Sequence, residues 1–151
     1  MMTLDTNILF YVSDDGEPAK QQVAKQVVRV LSERRQPLGL QVVGELQNVL
    51  RRKLKQPPWT AAQNARNALH AFDIFPPSEA AAEEALTLMA SGRLNYWDAL
   101  LIASARSAGV TTMFSEDMQD GQRWGAVEIV NPFASDGGLS ARARELLELA
   151  N

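Results

Sequence analysis

The stretch Met2-Thr3-Leu4-Asp5-Thr6-Asn7-Ile8-Leu9 joins a short apolar segment to a carboxylate, two small hydrogen-bonding residues and the apolar start of a helix. Residues 2–4 predict a buried strand, and residues 8–12 predict a short helix after it. In α/β proteins, ligands bind at the carboxyl ends of central strands, which is where Asp5 falls. Asp5 is therefore a candidate site residue, although a helix cap is an equally good interpretation of this residue alone.

Strands and helices alternate along the rest of the chain, which predicts an α/β fold with a mainly parallel sheet. Apolar spacing and terminal Pro, Gly, Ser and Asn residues define these elements. Helices are predicted from Pro18 through Leu31, at 41–54, 59–70, 79–90 and 96–108, and from Ser140 onward. Further strands are predicted at 37–40, 73–75, 111–114 and 127–130.

The composition is that of one globular domain of 151 residues, with 46% hydrophobic and 22% charged residues. The absence of Cys excludes disulfides, thiolate zinc sites and cysteine nucleophiles, and it fits a reducing compartment. No secretory signal and no apolar run of about 18 residues is visible, so we expect a cytoplasmic protein without a membrane segment. The net charge of −3 argues against unspecific binding of polyanions.

Three further carboxylates, Glu45, Asp98 and Asp117, occupy positions comparable to that of Asp5. Glu45 lies one turn into the helix that follows residues 37–40, and Asp117 follows the strand ending at Phe114. Asp98 lies on the same helical face as apolar residues three, four and seven positions further on, which is unusual because Asp is rarely buried without a partner. Each acid alone has an ordinary interpretation, for Asp98 a favourable interaction with the helix dipole. Together they predict a cluster.

A cluster of carboxylates without His or Cys favours Mg²⁺ or Mn²⁺ over zinc or copper. Such an ion lowers the pKa of bound water and thereby generates a nucleophile for phosphodiester hydrolysis. Thr6, Asn7 and Ser115 would orient the carboxylates from outside the coordination sphere. Basic residues are concentrated in two groups, and Arg51, Arg52 and Lys55 of the second are weak candidates for RNA contacts, since a solvated helix face explains them equally well.

Other chemistries have little support in the sequence. The chain has 1 His, His70, with no nucleophile motif nearby, and it lacks both G-x-x-x-x-G-K-[ST] and G-x-G-x-x-G loops. An aspartyl-phosphate enzyme remains a minor alternative, because Asp5 follows a strand, but Asn7 stands where that chemistry expects a second Asp.

Five motifs, in this order and spacing, resemble the PIN domain family and in particular its VapC-type toxin ribonucleases. They are Asp5-Thr6-Asn7-Ile8-Leu9, Glu45 within Gln41-Val42-Val43-Gly44-Glu45, Tyr96-Trp97-Asp98-Ala99-Leu100-Leu101, Ser115-Glu116-Asp117 with its continuation to Gly121, and Asn131-Pro132-Phe133. The resemblance covers residues 2–133 and implies a three-layer PIN-like fold, with a central, mainly parallel sheet of about five strands flanked by helices.

The resemblance further implies a metal-dependent endoribonuclease that is a homodimer and is inhibited by a cognate antitoxin protein. Asp5, Glu45, Asp98 and Asp117 would be the catalytic metal ligands, with Mg²⁺ or Mn²⁺ as cofactor and RNA as substrate. The alternatives are a processing or structure-specific nuclease that is not a toxin, and a non-catalytic module that binds RNA or protein. Residues 134–151 extend past the family's usual end, and their helix is expected to pack on the PIN domain, join a dimer or receive a partner.

Overall fold

The computed structural model describes residues 1–149, which form six strands and seven helices. The predicted α/β class with a mainly parallel sheet is confirmed. The strands of this part of the chain are β1 Met2–Leu4, β2 Pro37–Gly39, β3 Asp73–Phe75, β4 Thr112–Phe114, β5 Arg123–Trp124 and β6 Val127–Val130. Its helices are α1 Thr6–Val12, α2 Pro18–Glu33, α3 Leu40–Leu54, α4 Pro58–Ala71, α5 Glu79–Ala90, α6 Tyr96–Ser107 and α7 Ala141–Leu146.

Within residues 1–149 the strands form two adjacent sheets. One sheet has the order β1-β4-β6-β5, with β4 parallel to β1 and β6, and β5 antiparallel to β6. The other is the parallel pair of β2 and β3. The two sheets adjoin where β1 contacts β2, and the Met2 backbone N–H donates to Gln36 Oε1 at 2.8 Å. The five predicted strands are thus divided between two sheets. Strand β5 was not predicted, because two residues are too few to show the alternation of apolar and polar residues that indicates a strand.

The hydrophobic core lies between the strands and the apolar faces of the helices. Its largest fully buried side chains include Leu4 and Phe114 on adjoining strands and Leu31, Leu50 and Leu101 on three helices. Burying each such side chain contributes about 1.5–3 kcal/mol to the free energy of folding relative to leaving it exposed. This burial stabilises strands that are only two to four residues long. None of the helices in residues 1–149 combines the length and hydropathy needed to cross a bilayer.

The C-terminal segment packs on the rest of the chain as far as it is described. Ala143 and Leu147 are fully buried in the main core, and the Arg34 guanidinium donates to the Leu147 carbonyl at 3.0 Å. Of the three alternatives for this segment, packing on its own domain is therefore what residues 134–149 display. Ala150 and Asn151 lie outside the described residues, and the domain boundary after residue 133 stays a prediction.

Candidate active site

Asp5 and Ser115 lie side by side because their strands are parallel neighbours. The Asp5 backbone N–H donates to the Phe114 carbonyl at 2.9 Å, so Asp5 directly continues the ladder between β1 and β4. Ser115 Oγ donates to Asp5 Oδ2 at 3.1 Å. Asp5 Oδ1 accepts the Thr6 N–H at 2.7 Å, so Asp5 also caps α1. The helix-cap and site interpretations of Asp5 are thus compatible.

Glu45 is brought to Asp5 by α3, which begins directly after β2. Its Oε2 accepts a hydrogen bond from Thr6 Oγ1 at 2.6 Å, and its Oε1 accepts one from Gln41 Nε2 at 3.0 Å. Gln41 Nε2 also donates to the Trp97 carbonyl at 3.0 Å, so it links the Glu45 helix to the Asp98 helix. Gln41 was not among the predicted site residues. Its position four residues before Glu45 on one helix places the two side chains on the same face, so the sequence could have indicated this contact.

Asp98 lies in the first turn of α6 and is held by the residue that caps this helix. Asn95 Oδ1 accepts the Asp98 N–H at 2.9 Å, and Asn95 Nδ2 donates to Asp98 Oδ2 at 2.7 Å. Asp98 is half-buried, and the apolar residues on its helical face are buried, as the periodicity predicted. The helix comes close to β2 because residue 39 is Gly; a Cβ there would lie 2.9 Å from Leu101 Cδ1.

Asp117 lies in the loop after β4. Asn7 Nδ2 donates to Asp117 Oδ2, which connects this loop to the first turn of α1 across 110 residues of sequence. The loop is also closed locally, because Ser115 Oγ accepts the Met118 N–H at 3.3 Å. Thr6, Asn7 and Ser115 thus each contact a different predicted acid, which is consistent with their predicted orienting role.

The four predicted acids line one cavity of about 390 Å³, called the acid cavity below. Of the candidate RNA-binding residues, Arg52 lines this cavity, whereas Arg51 and Lys55 do not, and RNA contact by any of the three stays a prediction. Lys53, Asn48 and Val49 also line the cavity and were not among the predicted site residues. Asn48 and Val49 follow Glu45 by three and four residues on α3, a spacing that places them on the same helical face as Glu45. The lining residues are Asp5, Thr6, Asn7, Phe10, Tyr11, Glu45, Asn48, Val49, Arg52, Lys53, Asp98 and Asp117.

The acid cavity penalises negative charge. The pKa of Asp5 is raised to about 6, chiefly by burial and also by the charges of Asp98 and Glu45, against the lowering effect of hydrogen bonds from Thr6 and Ser115. Burial also raises the pKa of Asp98, with contributions from Asp117 and Glu45. Within residues 1–149, none of these four carboxylates forms a salt bridge. Neutral donors hold them in place, so their charge is left uncompensated.

The donor set of the acid cavity fits a hard divalent cation in chemistry and charge. Carboxylate oxygens are the preferred protein ligands of Mg²⁺ and Mn²⁺, and a cation would relieve the repulsion that raises the pKa of Asp5. The side chains are nevertheless not arranged as a closed coordination sphere, since in residues 1–149 no three His, Asp or Glu side chains stand in a geometry that holds a metal ion. Cation binding would therefore require the carboxylates to reorient.

Comparison with protein families gives one match, in which the model described as "PIN domain" matches residues 2–119. This range contains all four acids and ends just after Asp117. Among curated proteins, no match to the sequence is found.

Three solved structures of toxins or toxin–antitoxin complexes share the fold at low sequence identity. VapC20 of Mycobacterium tuberculosis, described as a sarcin-ricin loop cleaving toxin, is 18% identical over 78% of this chain and 90% of its own, with a TM-score of 0.62. A toxin–antitoxin complex from Klebsiella pneumoniae is 22% identical over 84% and 95%, with a TM-score of 0.60. VapBC2 from Rickettsia felis, bound to a promoter DNA fragment, is 16% identical over 85% and 96%, with a TM-score of 0.58.

Proposed function

Because the chain belongs to the PIN domain family, we propose that it is a metal-dependent endoribonuclease and the toxin of a toxin–antitoxin pair. One observation carries the proposal: four acids separated by up to 112 residues (Asp5 to Asp117) line a single cavity in which no cation of residues 1–149 pairs with them. Such an arrangement costs stability unless a ligand supplies positive charge. A divalent ion supplies it.

In this proposal Asp5, Glu45, Asp98 and Asp117 hold Mg²⁺ or Mn²⁺. A divalent ion held by these carboxylates would neutralise the cluster and would supply a water of lowered pKa as the nucleophile for phosphodiester hydrolysis. Thr6 and Ser115 keep the lone pairs of Glu45 and Asp5 oriented, and Asn7 does the same for Asp117.

Substrate binding is assigned to the basic wall of the same cavity. Arg52 and Lys53 line it from the last turns of α3, where they would contact the phosphates that flank the scissile bond. Arg51 and Lys55, on the same segment, would contact the RNA backbone further away. The overall negative charge of the chain makes this local positive charge important for attracting a polyanion.

The toxin role rests on the kinds of protein that share this fold. One of them is described as a toxin, and two are toxin–antitoxin assemblies. We extend this role to the present chain, with RNA as substrate, a cognate antitoxin as inhibitor and the cytoplasm as compartment.

A homodimer is proposed from an exposed apolar surface next to the site. Leu40 and Trp97 expose 45% and 61% of their surface, and the hydrogen bond from Gln41 to the Trp97 carbonyl joins the two helix starts that carry them. Exposed apolar side chains grouped in this way are typical of protein interfaces. Pairing through this face would bring two acid cavities near one another.

The decisive experiment measures cleavage of a labelled RNA pool by purified protein. We expect cleavage with Mg²⁺ or Mn²⁺, its loss with EDTA, and its loss in Asp5→Ala and Asp98→Ala proteins that still unfold cooperatively. Asp73→Ala, which changes an exposed acid at the start of β3, is the matched control and should retain cleavage. If both cavity variants cleave as fast as the parent, the site assignment is wrong.

A second candidate function is a non-catalytic PIN module that binds RNA or protein. The open arrangement of the carboxylates favours it, because no closed coordination sphere is present in residues 1–149. Calorimetric titration with Mn²⁺ separates the two functions, since a module without catalysis has no need to bind the ion. Parallel assays on single-stranded RNA, structured RNA and DNA separate a toxin ribonuclease from a processing or structure-specific nuclease.

A further inference from the structure

A second charged cluster lies directly beside the acid cavity and includes none of the predicted site residues. Lys20 of α2 forms a salt bridge with Glu116, and Tyr11 Oη donates to the other Glu116 oxygen at 2.6 Å. Lys20 Nζ also lies 3.4 Å from Tyr11 Oη, 5.0 Å from the Tyr11 ring centroid and 5.7 Å from the Phe133 ring centroid. Tyr11 and Phe133 pack edge to face at 5.3 Å. We call Lys20, Tyr11 and Glu116 the anchor cluster.

The anchor cluster is a built feature of the structure. Its contacts join the neighbouring helices α1 and α2 to the loop after β4 across 105 residues (Tyr11 to Glu116) and 96 residues (Lys20 to Glu116) of sequence. Lys20 and Glu116 expose only 33% and 21% of their side chains. Burial and the Glu116 carboxylate raise the pKa of Tyr11 to about 12. Tyr11 therefore stays protonated and keeps donating to Glu116 across the physiological pH range.

Glu116 lies between Ser115, which contacts the cavity acid Asp5, and Asp117, which lines the acid cavity. Ser115 donates to Asp5, Asp117 accepts from Asn7, and Glu116 is held by Lys20 and Tyr11 between them. Three successive loop residues are thus each held by a side-chain contact, two of them with α1 and its cap and one with both α1 and α2. Such contacts fix the backbone of the loop, so only the side-chain torsions of Asp117 need to change when a cation binds.

We infer that Lys20 and Tyr11 are positioning residues for Asp117, acting through Glu116. This inference rests on the proposed function, because it assumes that Asp117 is a metal ligand. Metal-binding carboxylates depend on the groups that orient them, and loss of such a group weakens metal binding by about 10–100-fold. Glu116 itself is neutralised by Lys20, so its carboxylate serves as an attachment point and not as a fifth ligand.

Positioning and simple electrostatics predict opposite effects of removing Lys20. A cation close to a metal site repels the incoming ion, so electrostatics alone predicts that Lys20→Met strengthens Mn²⁺ binding. Positioning predicts that the same change weakens binding, because Glu116 and the following Asp117 lose their attachment. The sign of the change in affinity therefore decides between them.

The experiment measures Mn²⁺ affinity by calorimetry for the full chain and five variants. We expect Lys20→Met and Glu116→Gln each to weaken binding roughly tenfold, and Lys20→Arg to retain most of the affinity because Arg can still pair with Glu116. The double variant should bind about as well as Glu116→Gln alone, since Lys20 acts through Glu116. Lys25→Met, an exposed lysine on the same helix, is the matched control and should bind like the parent.

Two further measurements in metal-free protein exclude a merely structural role. Amide hydrogen exchange of residues 116–118 should become faster in Lys20→Met and remain unchanged in Lys25→Met, while the melting temperature of Lys20→Met should fall by no more than about 4 °C. Unchanged or tighter Mn²⁺ binding by Lys20→Met, with the parent binding normally, would overturn the inference and leave the proposed function standing. Failure of the parent to bind Mn²⁺ would instead remove the proposed function and this inference with it.

Discussion

Two groups of acids in this protein have the same chemistry and opposite environments. Glu128, on β6, accepts hydrogen bonds from Arg142 at 2.8 and 3.1 Å and lies 3.5 Å from the Arg123 guanidinium. These cations lower the pKa of Glu128. Asp5, at the end of β1, has only neutral donors and acidic neighbours, and its pKa is raised to about 6.

The difference separates a carboxylate that is paired with cations of its own chain from one that we propose as a metal ligand. The Glu128 cluster consists of Glu128, Arg123, Arg142 and Glu145 and joins β5, β6 and α7. Each of its two acids forms a salt bridge with an arginine of the cluster. In the acid cavity, by contrast, no cation of residues 1–149 forms a salt bridge with the four acids, although Arg52 and Lys53 line the same cavity. Proteins tolerate such destabilised arrangements where function requires them.

The largest expected effect is on metal binding. Asp98→Asn removes a proposed ligand and should weaken Mn²⁺ binding more than about 100-fold, because loss of an outer orienting group alone costs 10–100-fold. Glu128→Gln should leave the affinity unchanged, since Glu128 belongs to the other group of acids. Calorimetric titration of the two variants measures this, and equal affinities would abolish the distinction drawn between the two groups.

The next effect is on the pH dependence of stability in metal-free protein. The Asp5 pKa is raised from 3.8 to about 6, so its contribution to stability is fully present below pH 4 and is lost as the pH rises through 6. The loss is about 3 kcal/mol, or about 6–12 °C in melting temperature. The pKa of Glu128 shifts in the opposite direction, because the hydrogen bond and charge of Arg142 favour its ionised form.

Asp5→Asn isolates the Asp5 contribution, because the Asn Oδ1 can still accept the Thr6 N–H and cap α1, while its Nδ2 can donate to Ser115 Oγ. In the presence of EDTA, the variant should melt higher than the parent at pH 7.5, and the two should converge near pH 4. Differential scanning calorimetry at several pH values measures both quantities. A parent that is equally stable at pH 5 and pH 7.5 would show that the cavity does not strain the fold.

The smallest effect concerns the paired acid. Glu128→Gln removes surface ion pairs, which typically contribute up to about 1 kcal/mol, so the melting temperature should fall by about 2–4 °C. Its sign is opposite to that of Asp5→Asn at neutral pH. Thermal melts in 0.1 and 1 M salt provide the control, since salt screens the pairs and should reduce the difference.

Much of the fold was predictable because its elements carry local signals. Helical spacing of apolar residues marked α2, α3 and α6, and Ser78 and Asn95 were identified as helix caps. The anomaly of Asp98 was also local, since a carboxylate on an apolar stripe is visible in the sequence alone. Strand β5 and the division of the strands into two sheets were not predicted. Short strands depend on pairing with neighbouring strands more than on their own sequence.

The sequence by itself determined the order of strands and helices, the all-oxygen chemistry of the candidate site and the four acids worth testing. The reason is that periodicity, capping and residue type are properties of short segments. Only the tertiary structure decided that Thr6 contacts Glu45, that Gln41 joins α3 to α6, and that Lys20 holds Glu116 across 96 residues. These contacts join segments that are distant in sequence. They form only when the helices pack on the sheets, and no local sequence pattern specifies that packing.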